Sequence, residues 1–253
     1  KLNEYAAMMP NRYATVNPAA NAGLVEGMKG LFNPTDTVSR QFKNGLMGTG
    51  VLGFEEVNMS QSIKQFTTGS RTATGGTTSA AVTTEGATTI AITGAGASAT
   101  VRAGDVFTVA DCFAVNPQTR ESTGSLFQFV ALADVTLSGA GAGNITVSPM
   151  YSANQALATV NTLPATSKAV VFIGAASTQY PQNLVYHKDA ITFATADLLL
   201  PQGVDMASRA NHNGISLRVV RQYDINNDRM PCRIDVLYGY GVIRPQMACR
   251  LWG

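Results

Sequence analysis

Charge is what this sequence has least of. Lys, Arg, Asp and Glu make up 13% of its 253 residues, about half the ~25% usual for a globular protein. The net balance of +2 and the lack of any block of like charges give no ground for nucleic-acid binding. Cysteine is scarce as well. Cys112, Cys232 and Cys249 form an odd set with no C-x-x-C spacing, which argues against a disulfide framework or a zinc site and for free buried thiols. His187 and His212 are the only histidines, and neither lies in a HExxH or HxxxH pattern, so a histidine-rich metal site is excluded by count. No G-x-S-x-G elbow is present. No apolar run approaches the ~18 residues that would mark a membrane-spanning helix, and no secretory signal pattern opens the chain. The chain begins at Lys1 rather than Met, and the expectation is that an upstream segment was removed or omitted.

What is present is enough apolar material for a core, 45%, in a length that suits about one to two domains. Surface polarity has to come from Thr, Ser, Asn and Gln. Composition shifts twice. Residues 1–66 are mixed and carry helix punctuation. Asn17-Pro18 sets an N-cap residue before a proline at the first helical position, with Leu24, Met28 and Leu31 following at helical spacing. Asn33-Pro34 repeats the signal before Val38–Phe42, with Gly45 as a stop. Glu26 and Lys29 form a surface pair three apart, and Arg12, Arg40, Lys43 and Lys64 are spread singly and read as solvated surface.

From Thr67 to Gly104 only Arg71, Glu85 and Arg102 carry charge. A disordered Thr/Gly linker is one reading, but Ile90 and Ile92 alternate with Thr89, Ala91 and Thr93, as in a strand. Val106–Val109, Leu126–Leu132, Asn144–Ser148 and Ala169–Ile173 read as further strands. They are bounded by Gly104-Asp105, Asn116-Pro117, Ser138–Gly143 and Pro164. Short strands with such punctuation predict a small barrel or sandwich of roughly 100 residues. After about Thr178 the composition turns ordinary. Leu184–Tyr186 and Ile191–Thr195 read as strands, Leu198–Leu200 precedes Pro201, and 202–213 is polar. The end is the clearest part. Ile215, Leu217 and Val219 alternate with Ser216 and Arg218; beyond Asp224–Asp228, Ile234 and Val236 alternate with Arg233 and Asp235. This predicts an antiparallel pair with one buried face, with Leu217 and Ile234 in the core. Pro245 ends the ladder.

Three patterns invite chemistry and lack its context. Gly48-Thr49-Gly50-Val51-Leu52-Gly53 fits GxGxxG, but no strand precedes it and the acid expected about twenty residues on is missing. Asp224, Asn226, Asp228 and Asp235 fall at calcium-loop spacing. However, the sixth position is Arg229 where glycine is required, and the flanks read as strands, so a turn rich in Asx residues explains them. Tyr186-His187-Lys188-Asp189 reads as a strand end. Asn58-Met59-Ser60 and Asn144-Ile145-Thr146 satisfy the glycosylation rule by chance. No catalytic, cofactor-binding or metal-ligating residue is assigned.

Several segments, in order, resemble the major capsid (coat) proteins of tailed double-stranded-DNA bacteriophages, in the short-tailed-phage branch whose capsid fold carries an inserted β-barrel. Arg12–Pro18 resembles the strand that leads into the first helix of the axial domain, and Val51–Phe66 the crossing into the insertion. Ala103–Val109, Ala114–Gly124 and Phe127–Ala131 resemble strands and a turn of the inserted barrel. Asn144–Pro149 and Val160–Ile173 resemble its later strands, and Val185–Phe193 the return. The closing run from Tyr240 to Pro245 carries the same likeness.

The resemblance implies an α+β chain: axial domain 1–70 and 177–245, inserted all-β barrel 71–176, and a peripheral-domain strand 246–253. It implies a subunit that associates with itself into pentamers and hexamers of an icosahedral shell. Scaffolding and portal proteins would be partners during assembly. The shell would hold packaged DNA without sequence-specific contact, with no cofactor and no membrane. It places the protein in the virion, assembled in the host cytoplasm. Two departures modify this. The arm, extended loop and long spine helix of relatives are missing, with at most Leu2–Met8 as the last turns of that helix. Met247, Leu251 and Trp252 would then lose their packing, leaving Trp252 solvent-exposed and the isolated chain a monomer or weak oligomer. The barrel hairpin Val82–Thr88 is short, with Glu85 alone, so salt bridging to a neighbouring capsomer by that loop is not expected. A β-rich tail, fibre or adhesin-type module is the alternative; it calls for repeats and trimeric stalks, and the sequence has no repeat at a fixed period.

Overall fold

The structure is a computed structural model and describes residues 1–28, 48–51 and 53–252. The second proline-capped helix expected at 33–45, the Glu26–Lys29 pair and the cations Arg40 and Lys43 lie outside the described residues, in whole or in part. Among the described residues the chain is mostly β, with one α-helix and two short 3-10 turns. Its contacts divide it into two compact units, 1–187 with 246–253, and 188–245.

The first unit opens with β1 (Arg12–Val16) and α1 (Pro18–Met28). The helix starts where the sequence says it should: the Asn17 side-chain oxygen accepts from the Ala20 N–H at 3.0 Å, an N-cap bond to one of the four amides the first turn leaves unpaired. A hairpin follows, β2 (Gly48–Val51) and β3 (Phe54–Met59). Then come β4 (Gln65–Thr67), β5 (Thr77–Thr78), β6 (Ala87–Thr93) and β7 (Thr100–Val101). Next are β8 (Val106–Val115), β9 (Ser122–Val130), β10 (Val135–Thr136), β11 (Gly143–Met150) and β12 (Val170–Phe172). β13 (Gln179–Pro181) and β14 (Asn183–His187) complete its first pass.

The second unit holds β15 (Ile191–Ala196), β16 (Met206–His212), β17 (Ile215–Arg221) and β18 (Cys232–Val242). The chain then returns to the first unit as β19 (Ala248–Leu251). There a five-stranded sheet runs β19-β14-β1-β3-β2, with β1 and β3 parallel and the other neighbours antiparallel.

Between β4 and β13 two three-stranded sheets, β11-β6-β5 and β12-β8-β9, share one apolar core. Ile90, Ile92, Phe107, Val109, Ile145 and Val170 are fully buried there, and every buried residue of that core lies between Ile90 and Phe172. Phe107 stacks on Phe129 at 5.5 Å and tilts against Phe172 at 5.4 Å. The phase of β8 changes midway. Phe107 and Val109 point inward, then Cys112 and Ala114. Asp111 has φ 65° and the pairing with β9 slips between Thr108 and Phe113, as an extra bulge residue requires. That is why an alternation read from sequence stops at Val109 while the strand runs on to Val115. Gly76, at φ 73°, lies so close to Thr93 that an added Cβ would stand 1.9 Å from its carbonyl oxygen; only glycine fits that crossing.

In the second unit the order is β15-β18-β17-β16. The predicted hairpin is there, with Leu217 opposite Val236 and Val219 opposite Ile234. Its two strands are the interior pair of the sheet, but its apolar face is not buried: Leu217 is 45% exposed and Ile234 68%. Alternation reports which residues share a face; it does not supply the layer that would cover that face.

Candidate functional site

The patterns that could carry chemistry are each absorbed by the fold. The glycines of the GxGxxG stretch lie in and between β2 and β3, with Gly50 and Gly53 at positive φ. A strand rather than a helix follows, so no helix N-terminus is there to meet a phosphate. Asp224 closes a turn: its oxygens accept from the Asn226 amide at 3.0 Å and the Asn227 side chain at 2.7 Å, and these bonds, the Asn227 one foremost, hold its carboxyl below the usual range. Asp228 accepts from the Tyr223 hydroxyl at 2.8 Å. Asp235, the would-be twelfth ligand, is taken by Arg233 and Arg218, which lower its pKa in that order. His187 is buried at the end of β14 and His212 is exposed at the end of β16, in different units. Among the described residues no group of three or more His, Cys, Asp or Glu could hold a metal ion. No helix among them is long and apolar enough to cross a membrane. The three cysteines are free, but of the three only Cys112 is buried as expected; Cys249 is half-buried and Cys232 is exposed, because β18 lies in a sheet with no covering layer among the described residues.

The geometry instead marks the place where the chain enters and leaves the core built by β5–β12. β4 and β13 form a two-stranded antiparallel ribbon, Gln65 opposite Pro181 and Thr67 opposite Gln179. The ribbon is extended by bonds from Thr68 N–H to the Thr178 carbonyl and from Ser177 N–H to the Gly69 carbonyl, both 3.0 Å. Just past it sit Arg71 and Asp105, both fully buried and 3.2 Å apart. Arg71 also donates to the carbonyls of Gly174 at 3.0 Å and Ile173 at 2.8 Å, and lies over the Phe172 ring. Asp105 accepts from the amides of Gly69 at 3.1 Å and Arg102 at 2.8 Å. One ion pair thus ties the ingoing strand, the turn before β8 and the outgoing strand. Burial pulls the Arg71 guanidinium below its ordinary pKa, and Asp105 partly restores it. A buried charge is tolerated only when paired and hydrogen-bonded in this way.

Sequence reasoning did not assign this pair. Its signal was there: Arg71 and Asp105 are two of only four charges between Thr67 and Ala110. Nor is Arg12 solvated surface, as expected from its isolation. It is buried, donating to the Met8 carbonyl at 2.7 Å, to Asn3 at 2.6 Å and to the Ala7 carbonyl. It gathers residues 3–8 onto the start of β1, because an arginine fork can satisfy several carbonyls at once. Glu85, alone in its hairpin as expected, spends both oxygens on Ser152, at 2.6 and 2.9 Å.

The terminus is also unlike its expectation. Met247 is buried, β19 pairs with β14, and Trp252 is mostly covered. The Trp252 indole stacks on Tyr180 with centroids 4.9 Å apart and planes 12° apart. The orphaned, exposed tryptophan is corrected on this point: the β4–β13 ribbon, the neck of the β5–β12 module, itself supplies the packing.

In the second unit, cross-strand partners share a face. Ile234, Val236, Tyr238, Tyr240 and Val242 of β18 therefore lie with Leu217 and Phe193 on one side, and all are well exposed. The opposite side carries Arg218, Arg233 and Asp235, joined in ion pairs. An apolar face of this extent, opposite arginines already paired within the sheet, is a candidate interaction surface.

Among curated proteins the comparison found no match. A family model described as "P22 coat protein - gene protein 5" matches residues 7–253, nearly the whole chain and both of its units. This is a structural family, and nothing in the fold favours the tail-fibre or adhesin alternative. The chain belongs to the P22 coat protein family and is a major capsid subunit of a bacteriophage virion.

Proposed function

We propose that residues 71–176 are an inserted β-barrel, that 1–70 and 177–245 belong to the axial domain, and that 246–253 form the peripheral-domain strand. Two observations support the insertion: a buried core drawn entirely from Ile90–Phe172, and ends that meet in the β4–β13 ribbon. The subunits associate with one another into pentamers and hexamers, aided by scaffolding and portal proteins in the host cytoplasm, and enclose DNA without reading its sequence. Such a shell needs surfaces that pair repeatedly between identical chains, each contact weak and their sum strong. The exposed apolar face of β15–β18 is one such surface, covered by neighbouring copies. No residue is assigned to catalysis, to a cofactor or to a metal.

The match over residues 7–253 carries this reading. Co-expression of the full-length protein with the scaffolding partner, followed by size-exclusion chromatography and electron microscopy, tests it. Closed shells of uniform size are expected. Trimeric stalks, or particles that never close, would replace it with the fibre reading.

A further inference from the structure

The neck ribbon is narrow for its task. It has three paired positions, and an isolated two-stranded ribbon is marginal in water. What reinforces it comes from the far end of the chain. Trp252 stacks on Tyr180 of β13 and lies 6.4 Å from Phe66 of β4, so one ring touches the outgoing strand and faces the ingoing one. Arg250 donates to the Gln182 side chain at 3.0 Å and to the Gly104 carbonyl at 2.8 Å. It therefore joins the ribbon's end to the turn that precedes β8. The backbone is shaped to receive the indole. At Gly174, with φ 84°, a Cβ would stand 2.9 Å from the Trp252 ring, so any larger residue would push the indole away. The Tyr180 hydroxyl is itself held, accepting from the Ala175 amide at 2.9 Å. β19 is an edge strand paired only to β14, so it can leave without opening the interior of the five-stranded sheet.

We propose that β19 with Arg250 and Trp252 is a latch on the neck. Docked, it holds the β5–β12 module in one orientation to the five-stranded sheet. Released, it lets the module pivot about the β4–β13 ribbon. The functional sense of the pivot rests on reading the chain as a shell subunit that occupies non-identical positions.

Hydrogen exchange on the full chain before assembly tests the latch. The reporters are the amides of Thr68, Ser177 and Gln182, each bonded across the neck, against those of Ile90 and Ile145 in the module core. Trp252→Ala should speed exchange at the three neck amides by at least roughly tenfold while the core amides stay unchanged. Arg250→Gln, which removes two hydrogen bonds and keeps the indole, should give a smaller increase at the same amides. Unchanged neck exchange in both variants would overturn the proposal. So would a matching acceleration at Ile90 and Ile145, which would make the terminus part of the folding core. Electron microscopy of the wild-type chain separates this from the capsid reading. A neck that loosens in a chain that never builds shells upholds the latch alone, and shells with an unaltered neck refute the latch alone.

Discussion

The β5–β12 module and the four-stranded sheet of 188–245 are built from similar strands and end in opposite states. In the module Ile90, Ile92, Phe107 and Ile145 are at most 0% exposed; in the sheet Tyr240 is 80% and Ile234 68% exposed. Both show period-two alternation. The difference is a second layer: the module folds two sheets over one core, whereas the described residues of the 188–245 unit supply a single sheet. Hydrophobic stabilisation follows area removed from water. One region is therefore stable by its own contacts, and on the proposed reading the other gains stability when neighbouring copies cover it.

Cutting into the module should have the largest effect on stability. Phe107→Ala removes a ring that packs on Phe129 and Phe172 and should cost about 3–5 kcal/mol in urea denaturation. Asp105→Ala leaves the Arg71 guanidinium buried without its carboxylate and should cost a similar ~3–5 kcal/mol. A loss below ~1 kcal/mol for that variant would mean water reaches the pair.

Smaller effects come from titration. Burial pushes the Cys112 thiol from its ordinary 9.0 up to about 11. The folded chain therefore keeps its proton while the unfolded chain loses it. Stability is full below pH 9.0 and falls as pH rises toward about 11. Thiol labelling at pH 8 should modify exposed Cys232 first and Cys112 only on unfolding. The smallest effect is expected in the sheet. Leu217→Ala and Ile234→Ala, on side chains already 45% and 68% exposed, should each cost under ~1 kcal/mol in the unassembled chain, yet weaken assembly measured by light scattering.

Much of this architecture was legible in the sequence. The Asn17-Pro18 cap, the strands around Ile90, Val106 and Asn144, and the terminal hairpin follow from local chemistry that reads out within a few residues. Expectations went wrong where distant segments decide the outcome. The burial of Leu217 and Ile234 depends on a covering layer, which alternation does not encode. Arg12 looks like a surface cation until the backbone carbonyls around it are in place, and nothing near Arg71 in sequence names Asp105 as its partner. Trp252 finds Tyr180 only because β19 returns to the first unit after residues 188–245, a closure that no local pattern announces. A coat protein works through its surfaces, and surfaces are the property least visible in one chain.

The most direct test of the central claim is hydrogen exchange compared between unassembled subunits and assembled shells. Amides of β15–β18 should gain protection on assembly while those of β6, β8 and β11 stay as they were. Equal protection of β15–β18 in the unassembled subunit would contradict the account, because that face would then be covered within a single chain.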